Sequence, residues 1–285
     1  AQHFFREGGW LKLYRTAAGL DNERSEFPLA RHYGLTAREI PVDEALELEP
    51  FLRPVFTGAV LWSDPHSVSS PGGVTQAYAA HFAALGGRVL KGDARTLTKL
   101  GSGWLVTTEE GSVEAPEVVV ALGPWAMDVL RPFGIRLPLQ VKRGYHMHYR
   151  AEGNAALSRP VLDEEGGYVI TPMVGGIRLT TGVEFARRDS PKSPVQLEKT
   201  EVLARELFPL GARAEAEPWM GSRPAFPDML PAIGQASGQK GMWLAIGHQH
   251  LGFTLGPVTG RLLAEMMTGE EPCADPAPFS PDRFG

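Results

Sequence analysis

A glycine-rich segment near the carboxyl end of the chain joins a buried-strand pattern to the start of a helix. It reads Trp243-Leu-Ala-Ile-Gly-His-Gln-His-Leu-Gly-Phe-Thr-Leu-Gly-Pro257. Glycines allow backbone N–H groups to approach a ligand closely, and a helix N-terminus favours negative charge. The segment therefore indicates a site for an anion or a planar cofactor. A tight turn without a ligand is the alternative.

Other residues that could carry chemistry give weaker signals. Two His-x-His pairs, His146/His148 and His248/His250, could each offer two metal ligands, because residues i and i+2 of a strand share a face. No further ligand stands at recognisable spacing, so we predict no metal site. The chain lacks a Gly-x-Ser-x-Gly motif, which argues against a hydrolase. One group of carboxylates is typical of a solvated helix face rather than of a catalytic pair: Asp43, Glu44, Glu47 and Glu49.

The elements that must position these residues are short and are separated by many glycines and prolines, 33 and 24 in number. Frequent glycines and prolines between short segments are typical of a fold that has many turns and both helices and strands. Helices are predicted over Ser70–Leu85 with Ser70 as N-cap, from a capping box at Ser193–Gln196 to Pro209, and over Pro257–Met267 before Gly269. Strands are predicted over Arg88–Lys91, Trp104–Thr108, Ser112–Ala115, Val118–Leu122, Leu139–Tyr149, Tyr168–Met173, Ile177–Phe185 and Met242–Ile246.

Two kinds of segment alternate along the chain, one with both helix and strand patterns and one with mainly strand patterns. Their alternation predicts an α+β fold. We assign α/β pieces to residues 69–135 and 235–272, and a β-rich body to residues 1–68 and 136–234. Residues 273–285 form a proline-rich tail.

Bulk properties narrow the class of protein. A formal net charge of -5 and a pI of about 5.9 argue against nucleic acid as the main partner. No apolar run is long enough for a membrane-spanning helix, and the first residues do not resemble a signal peptide. The single cysteine, Cys273, suggests a reducing compartment. We therefore expect a cytoplasmic protein, with peripheral attachment at the inner membrane as a variant.

Several motifs in the same order resemble the FAD-dependent D-amino-acid oxidoreductases, a family that includes D-amino-acid dehydrogenase, glycine oxidase and sarcosine oxidase. The likeness covers nearly the whole chain. The motifs that carry it are Gly9–Thr16, Leu48–Pro50, Val118–Ala126, Val141–Tyr145, Gly221–Pro224, Pro227–Gly234 and Gly247–Gly252.

The resemblance implies FAD as cofactor and oxidative deamination of a small D-amino acid, with hydride transfer from the α-carbon to the flavin. It implies quinone or oxygen as electron acceptor. Two alternatives stay open. One is an amine oxidase of the sarcosine, glycine or hydroxyproline type, and the other is a non-catalytic fragment or binding subunit without flavin.

The resemblance also implies roles for three residues near the substrate. Arg223 matches the arginine that binds the substrate carboxylate, for which a planar guanidinium is suited. Tyr168 matches a tyrosine whose hydroxyl meets the same carboxylate, and His250 takes a loop position near the substrate or flavin edge. A surface ion pair and an aromatic residue on a sheet face are the structural alternatives for Arg223 and Tyr168.

A second set is implied to contact FAD. Arg95 lies near the adenine end, and Gly221 opens the motif Gly221–Pro224. The remaining residues lie at the end of Val118–Leu122 and the turn after it, or in the glycine-rich loop and the start of the following helix. The set is Arg95, Ala121, Gly123, Trp125, Gly221, Gly247, His248, Leu251, Gly252, Phe253 and Thr254.

The family pattern opens with a strand, a G-x-G-x-x-G turn and a helix that hold the FAD pyrophosphate. No G-x-G-x-x-G occurs in this sequence, and Gly101-Ser-Gly103 is its only G-x-G. We therefore expect the N-terminal βαβ unit to be absent from this chain and the 285 residues alone to bind FAD weakly. A second chain that supplies the unit is a further possibility.

Overall fold

A computed structural model describes all 285 residues and contains both α-helices and β-strands. The seven helices are α1 Ala17–Arg24, α2 Phe27–His32, α3 Val42–Leu48, α4 Pro71–Ala84, α5 Ala126–Leu130, α6 Val195–Leu207 and α7 Gly252–Thr268. The strands are β1 Phe5–Arg6, β2 Trp10–Tyr14, β3 Ala37–Ile40, β4 Gly58–Trp62, β5 Ser67–Val68, β6 Thr98–Leu100, β7 Gly103–Thr108, β8 Gly111–Ala115, β9 Val118–Val120, β10 Gln140–Ala151, β11 Val161–Asp163, β12 Tyr168–Met173, β13 Gly176–Thr181, β14 Leu210–Arg213, β15 Trp219–Ala225, β16 Ala232–Gln235 and β17 Met242–Ile246. The predicted α+β class is confirmed.

The chain divides into two units. The first unit comprises residues 1–81, 144–183 and 191–221, and the second comprises residues 82–143, 184–190 and 222–285. Helix α4, which we assigned to the α/β part, lies mostly in the first unit, and residues 222–234, which we assigned to the β-rich body, lie in the second.

The first unit is built on a sheet with the strand order β14-β10-β13-β12-β11-β2-β4-β3. Neighbouring strands are antiparallel except for β11 and β2, which are parallel. Side chains alternate strictly along β12 and β13, so that one face is buried and the other is half-buried. Helix α6 packs on the buried face through Leu197, Ala204 and Leu207, and each buried leucine contributes about 1.5–3 kcal/mol.

The second unit holds a smaller sheet with the order β16-β17-β9, in which β9 and β17 are parallel. Strand β17 is buried on both faces, as its continuous apolar run predicts. Trp243 packs with Leu262 and Leu263 of α7, whereas Leu244 and Ile246 pack in the core on the other side. Strand β17 therefore lies between α7 and this core, and this packing fixes the direction in which α7 starts. The predicted hairpin is present as β7 and β8, but Arg88–Lys91 forms no strand.

One charged side chain of the second unit is entirely buried. Arg143 is 0% exposed, and its Nε donates to Glu184 Oε2 over 2.8 Å. Its Nη1 donates to the carbonyl oxygen atoms of Ser190 and Arg187 over 2.6 and 3.2 Å. A buried guanidinium is tolerated only when its charge and its N–H groups find such partners.

Three further local predictions are wrong. Helix α6 has no side-chain cap, because the Gln196 amide donates to the Val183 carbonyl oxygen instead of closing a capping box. Helix α7 begins at Gly252, so Pro257 lies inside its first turns rather than at its start. Glu49 is not solvated: it is 1% exposed and accepts hydrogen bonds from Ser158 and Arg159.

No helix in the structure has both the length and the apolar character that crossing a bilayer requires.

Candidate active site

The first component of the site is Arg223, which lies on β15 two residues before the strand ends. The residue is half-buried, and burial lowers the pKa of its guanidinium. An arginine remains charged under all ordinary conditions, so the effect of burial is to strengthen its attraction for a bound anion.

The loop between β17 and α7 is fastened to the same end of β15. Ala225 forms a β-bridge with His248, and the Gln249 N–H donates to the Pro224 carbonyl oxygen over 2.8 Å. Gly247 allows the close approach, since it has a φ of +85° and an added Cβ would lie 2.3 Å from the Phe226 ring. The predicted residues Arg223 and His250 are therefore carried by two segments that are hydrogen-bonded to each other.

Two strained residues hold this loop in place. Met229 and Gln249 are the non-glycine residues with positive φ, 66° and 55°, and the Gln249 amide donates to the Met229 carbonyl oxygen over 2.5 Å. Such conformations cost about 1–3 kcal/mol each and concentrate at functional sites. Sequence reasoning missed both residues, because neither type signals a left-handed conformation.

The N-terminus of α7 supplies the electrostatic part of the site. Its first residues Leu251–Thr254 are exposed, no side chain caps it, and its first turn has no acidic residue. The free amides of a 17-residue helix therefore present partial positive charge to whatever binds there. His248 ties the loop to this helix, because its Nε2 lies 3.0 Å from Thr259 Oγ1. Burial lowers the pKa of His248, so the ring is neutral at pH 7. His250, in contrast, is exposed at the tip of the loop.

A second turn predicted to contact the cofactor follows β9. Gly123 has a φ of +53°, and its Cβ position is open, with no atom within 4 Å. Ala121 and Trp125 are exposed beside it, Trp125 by 57%. Trp125 and Arg95 line a cavity of about 430 Å³, and Arg95 is held there by both carboxylate oxygens of Asp93.

Two predicted residues, Tyr168 and Gly221, lie in the first unit and are in close contact with neighbouring groups. Tyr168 is 1% exposed, and its hydroxyl donates to the Leu203 carbonyl oxygen over 3.2 Å. Burial and the charge of Asp163 raise the pKa of Tyr168, so it stays protonated. Gly221 lies against the Trp219 ring, where an added Cβ would come within 2.3 Å of the indole.

A further cavity of the second unit lies elsewhere. It has a volume of about 950 Å³ and contains none of the predicted site residues. Arg188 on its wall is engaged by Asp128 and Asp189, so its charge is satisfied within the protein. The predicted residues Arg223 and His250 lie instead near the start of α7, whose first turn contains no acidic residue.

These features fit a planar, anionic cofactor. The open helix end of α7 and the open turn at Gly123 each offer backbone N–H groups without a side chain in the way. They follow the parallel strands β17 and β9, whose carboxyl ends form the usual ligand-binding edge of such a sheet.

Comparison with known proteins identifies the class. Residues 1–266 match the family described as FAD dependent oxidoreductase (DAO), and the chain belongs to that family. FAD is therefore its cofactor, and the protein is a flavin-dependent amine or amino-acid oxidoreductase.

Particular relatives are named for amino-acid oxidation. The chain is 31% identical to a glycine oxidase of Pseudomonas aeruginosa over 275 residues, which span 92% of this chain and 72% of the relative. It is 30% identical to a D-amino acid dehydrogenase of Bradyrhizobium diazoefficiens over 295 residues, 99% of this chain and 68% of the relative. The crystal structure of glycine oxidase from Geobacillus kaustophilus superposes with a TM-score of 0.84 at 27% identity, covering 97% of this chain and 75% of that one.

Proposed function

We propose that the protein oxidises the C–N bond of a small amino acid by hydride transfer from the α-carbon to FAD, and that Arg223 binds the substrate carboxylate. The observation that carries the proposal is the half-buried Arg223 beside the loop that leads into α7. The names of the relatives, glycine oxidase and D-amino acid dehydrogenase, support an amino acid as substrate.

When bound, FAD would supply the acceptor for the hydride, which carries both electrons. The chain contributes orientation and electrostatics. Arg223 offers two parallel N–H groups to a carboxylate, which fixes both the position and the rotation of a small substrate. The amides at the start of α7 stabilise negative charge that develops beside them, because they are fixed before the reaction begins.

His250 completes the proposed site. It is exposed at the loop tip, and the Gln249 bonds to Pro224 and Met229 hold the residue before it. We assign His250 to contact with the substrate, since these hydrogen bonds fix the backbone beside it and its side chain is exposed.

The test replaces the anchor. In a flavin-containing preparation, Arg223→Gln should weaken the apparent affinity of the best amino-acid substrate about 30-fold, because removing one partner of a buried charged contact costs about 2 kcal/mol or more. Anaerobic stopped-flow reduction of the flavin over a range of substrate concentrations measures this. Arg136→Gln is the matched control, since Arg136 is an exposed arginine of the same unit. Equal affinity in both variants would refute the role of Arg223.

The guanidinium anchor also limits the substrate class. A plain alkylamine should reduce the flavin at least about 100-fold more slowly than the best amino acid at equal concentration, because it lacks the carboxylate that Arg223 is proposed to bind. The same stopped-flow assay compares alanine and glycine with ethylamine. Equal rates would show that the carboxylate is not recognised.

A further inference from the structure

The last turn of the chain packs against the segment that follows Arg223. This turn, the 3-10 helix Pro281–Phe284, is called the tail turn below, and the segment is Phe226–Leu230. Both belong to the second unit. The contact between them connects the tail turn with the loop that leads into α7.

Arg283 makes the polar part of this contact and uses its whole guanidinium. Its Nε donates to Asp228 Oδ2 over 2.6 Å, and its Nη2 donates to the Leu230 carbonyl oxygen over 2.8 Å. Its Nη1 donates to two carbonyl oxygens of its own tail over 3.1 and 2.9 Å. The side chain is 16% exposed. One planar group with several fixed donors therefore holds both residues that flank Met229.

An apolar contact runs beside the polar one. The rings of Phe284 and Phe226 lie with their centroids 4.8 Å apart, and the Arg283 guanidinium lies 4.2 Å from the Phe284 centroid. Phe226 is 2% exposed and also lies against Gly247, where an added Cβ would come within 2.3 Å of the ring. The tail turn thus reaches the loop by two routes, one polar and one aromatic.

The residue between the two that Arg283 holds is strained. Met229 has a φ of 66°, and its carbonyl oxygen accepts from the Gln249 amide over 2.5 Å. The Gln249 backbone N–H donates in turn to the carbonyl oxygen of Pro224, the neighbour of Arg223, over 2.8 Å. A left-handed conformation at a residue other than glycine persists only where the surroundings enforce it. Arg283 supplies that enforcement, because it fixes the backbone on both sides of Met229.

The tail turn makes a second polar contact that leads away from the loop. Asp282 Oδ1 accepts from the Ser237 hydroxyl over 2.5 Å, and Ser237 lies in the turn between β16 and β17. Asp282 and Arg283 are adjacent in sequence but hold different parts of the second unit. A substitution at Asp282 is therefore a matched control for one at Arg283.

We infer that Arg283 is a positioning residue for the active site: through Met229 and Gln249 it fixes the loop that carries His250. The catalytic consequence rests on the proposed amino-acid oxidation. The fixing of the loop is a property of the fold and can be measured without any substrate.

The first test measures the loop itself. Hydrogen exchange of the Gln249 backbone N–H is followed by NMR in the flavin-containing protein, at a temperature at which circular dichroism shows every variant to be folded. Arg283→Gln should accelerate this exchange at least about tenfold, because the bond to Pro224 then opens locally. Asp282→Asn should leave it unchanged, although it also removes a charged contact of the tail turn.

The second test measures the chemistry. Anaerobic stopped-flow reduction of the flavin by D-alanine and by glycine separates the limiting rate from the apparent affinity. Arg283→Gln should lower the limiting rate on the order of tenfold through misalignment of the site. It should weaken the apparent affinity less than about threefold, since the proposed carboxylate anchor remains. Asp282→Asn should keep both values.

A further pair of variants guards against a general loss of structure. Asp228→Asn should lower the limiting rate less than Arg283→Gln, because Arg283 then still donates to the Leu230 carbonyl oxygen. The double variant should be no slower than Arg283→Gln alone, since both substitutions break the same contact. Additive losses would contradict the shared contact.

Failure of the proposed oxidation and failure of this inference give different results. The first appears in the unmodified protein, whose flavin neither D-alanine nor glycine would reduce, and the exchange of Gln249 then decides the role of Arg283. The inference is overturned if Gln249 exchanges as slowly in Arg283→Gln as in Asp282→Asn. It is also overturned if folded Arg283→Gln reduces its flavin at the limiting rate of the unmodified protein.

Discussion

At the scale of single residues, three arginines show how surroundings decide what one residue type does. Arg143 is sealed in the second unit and satisfied by Glu184 and two carbonyl groups. Arg178 is oriented by His148 and open at its outer nitrogens. Arg223 is half-buried at the end of a strand beside a helix N-terminus. The sequence singled out Arg223 through its motif, but neither burial nor a hydrogen-bonded histidine can be read from the sequence, so the other two were missed.

Tyr168 illustrates the sensitivity of a strand to register. Its side chain points into the core under α6, whereas Val169 and Thr171 point to the half-buried face. A shift of one residue moves a side chain to the opposite face of a sheet. The motif around Tyr168 located the strand correctly, but the pattern did not specify which of its faces would meet a ligand.

His146 gives a prediction about pH. Its pKa in the folded protein is about 4, below the ordinary 6.5, so between these values the unfolded chain binds more protons than the folded one. The folded state should therefore lose stability as pH falls from 6.5 to 4, and His146→Gln should lose less over the same window. Urea unfolding at a series of pH values measures the slope. Equal slopes for the two proteins would show that His146 is not the group responsible for the pH dependence of stability.

At the scale of elements, prediction succeeded where one local signal decided the structure. The β7–β8 hairpin, the doubly buried strand β17 and the Ser70 cap of α4, which accepts from the Gly73 N–H, are all present. Prediction failed where distant residues intervened. Gln196 is diverted to Val183, and the start of α7 is set by the loop that β15 fixes, not by Pro257.

Helix α7 supplies a test of its own stability. An added Cβ at Gly260 meets no atom within 4 Å, so Gly260→Ala should stabilise the flavin-free protein by about 0.5–1 kcal/mol through the helix propensity of alanine. Thermal unfolding followed by circular dichroism measures the gain. Gly247→Ala is the opposing control and should destabilise the protein, because its φ is positive and its Cβ would clash with Phe226.

At the scale of the whole molecule, the chain passes between its two units five times, after residues 81, 143, 183, 190 and 221. Neither unit is therefore a continuous piece of sequence. The sequence also predicted that the two kinds of segment alternate along the chain. The residues at which the chain changes unit depend on contacts between segments far apart in the sequence, which composition does not encode.

Arg143 is the last residue before one of these changes of unit, and its replacement should lower the stability of the whole protein. Arg143→Ala removes a charged partner of Glu184 and the side-chain donor to the Ser190 carbonyl oxygen, so it should lower the free energy of unfolding by about 3–5 kcal/mol. Equilibrium urea denaturation provides the measurement. The surface substitution Arg136→Ala should change it by less than about 0.5 kcal/mol, and a similarly small effect for Arg143→Ala would contradict the structural role.

The strained pair Met229 and Gln249 has a consequence for engineering. Glycine at either position would remove the left-handed strain without a new side chain, and would raise tolerance to heat if strain were the whole effect. Gln249→Gly would also delete the amide that grips Met229, so the loop carrying His250 would gain freedom. Met229→Gly keeps that bond, since it uses the backbone carbonyl oxygen. The two substitutions therefore separate thermal stability from catalytic rate. Met229→Gly should raise the thermal stability with little loss of catalytic rate, whereas Gln249→Gly should raise the thermal stability and lower the catalytic rate.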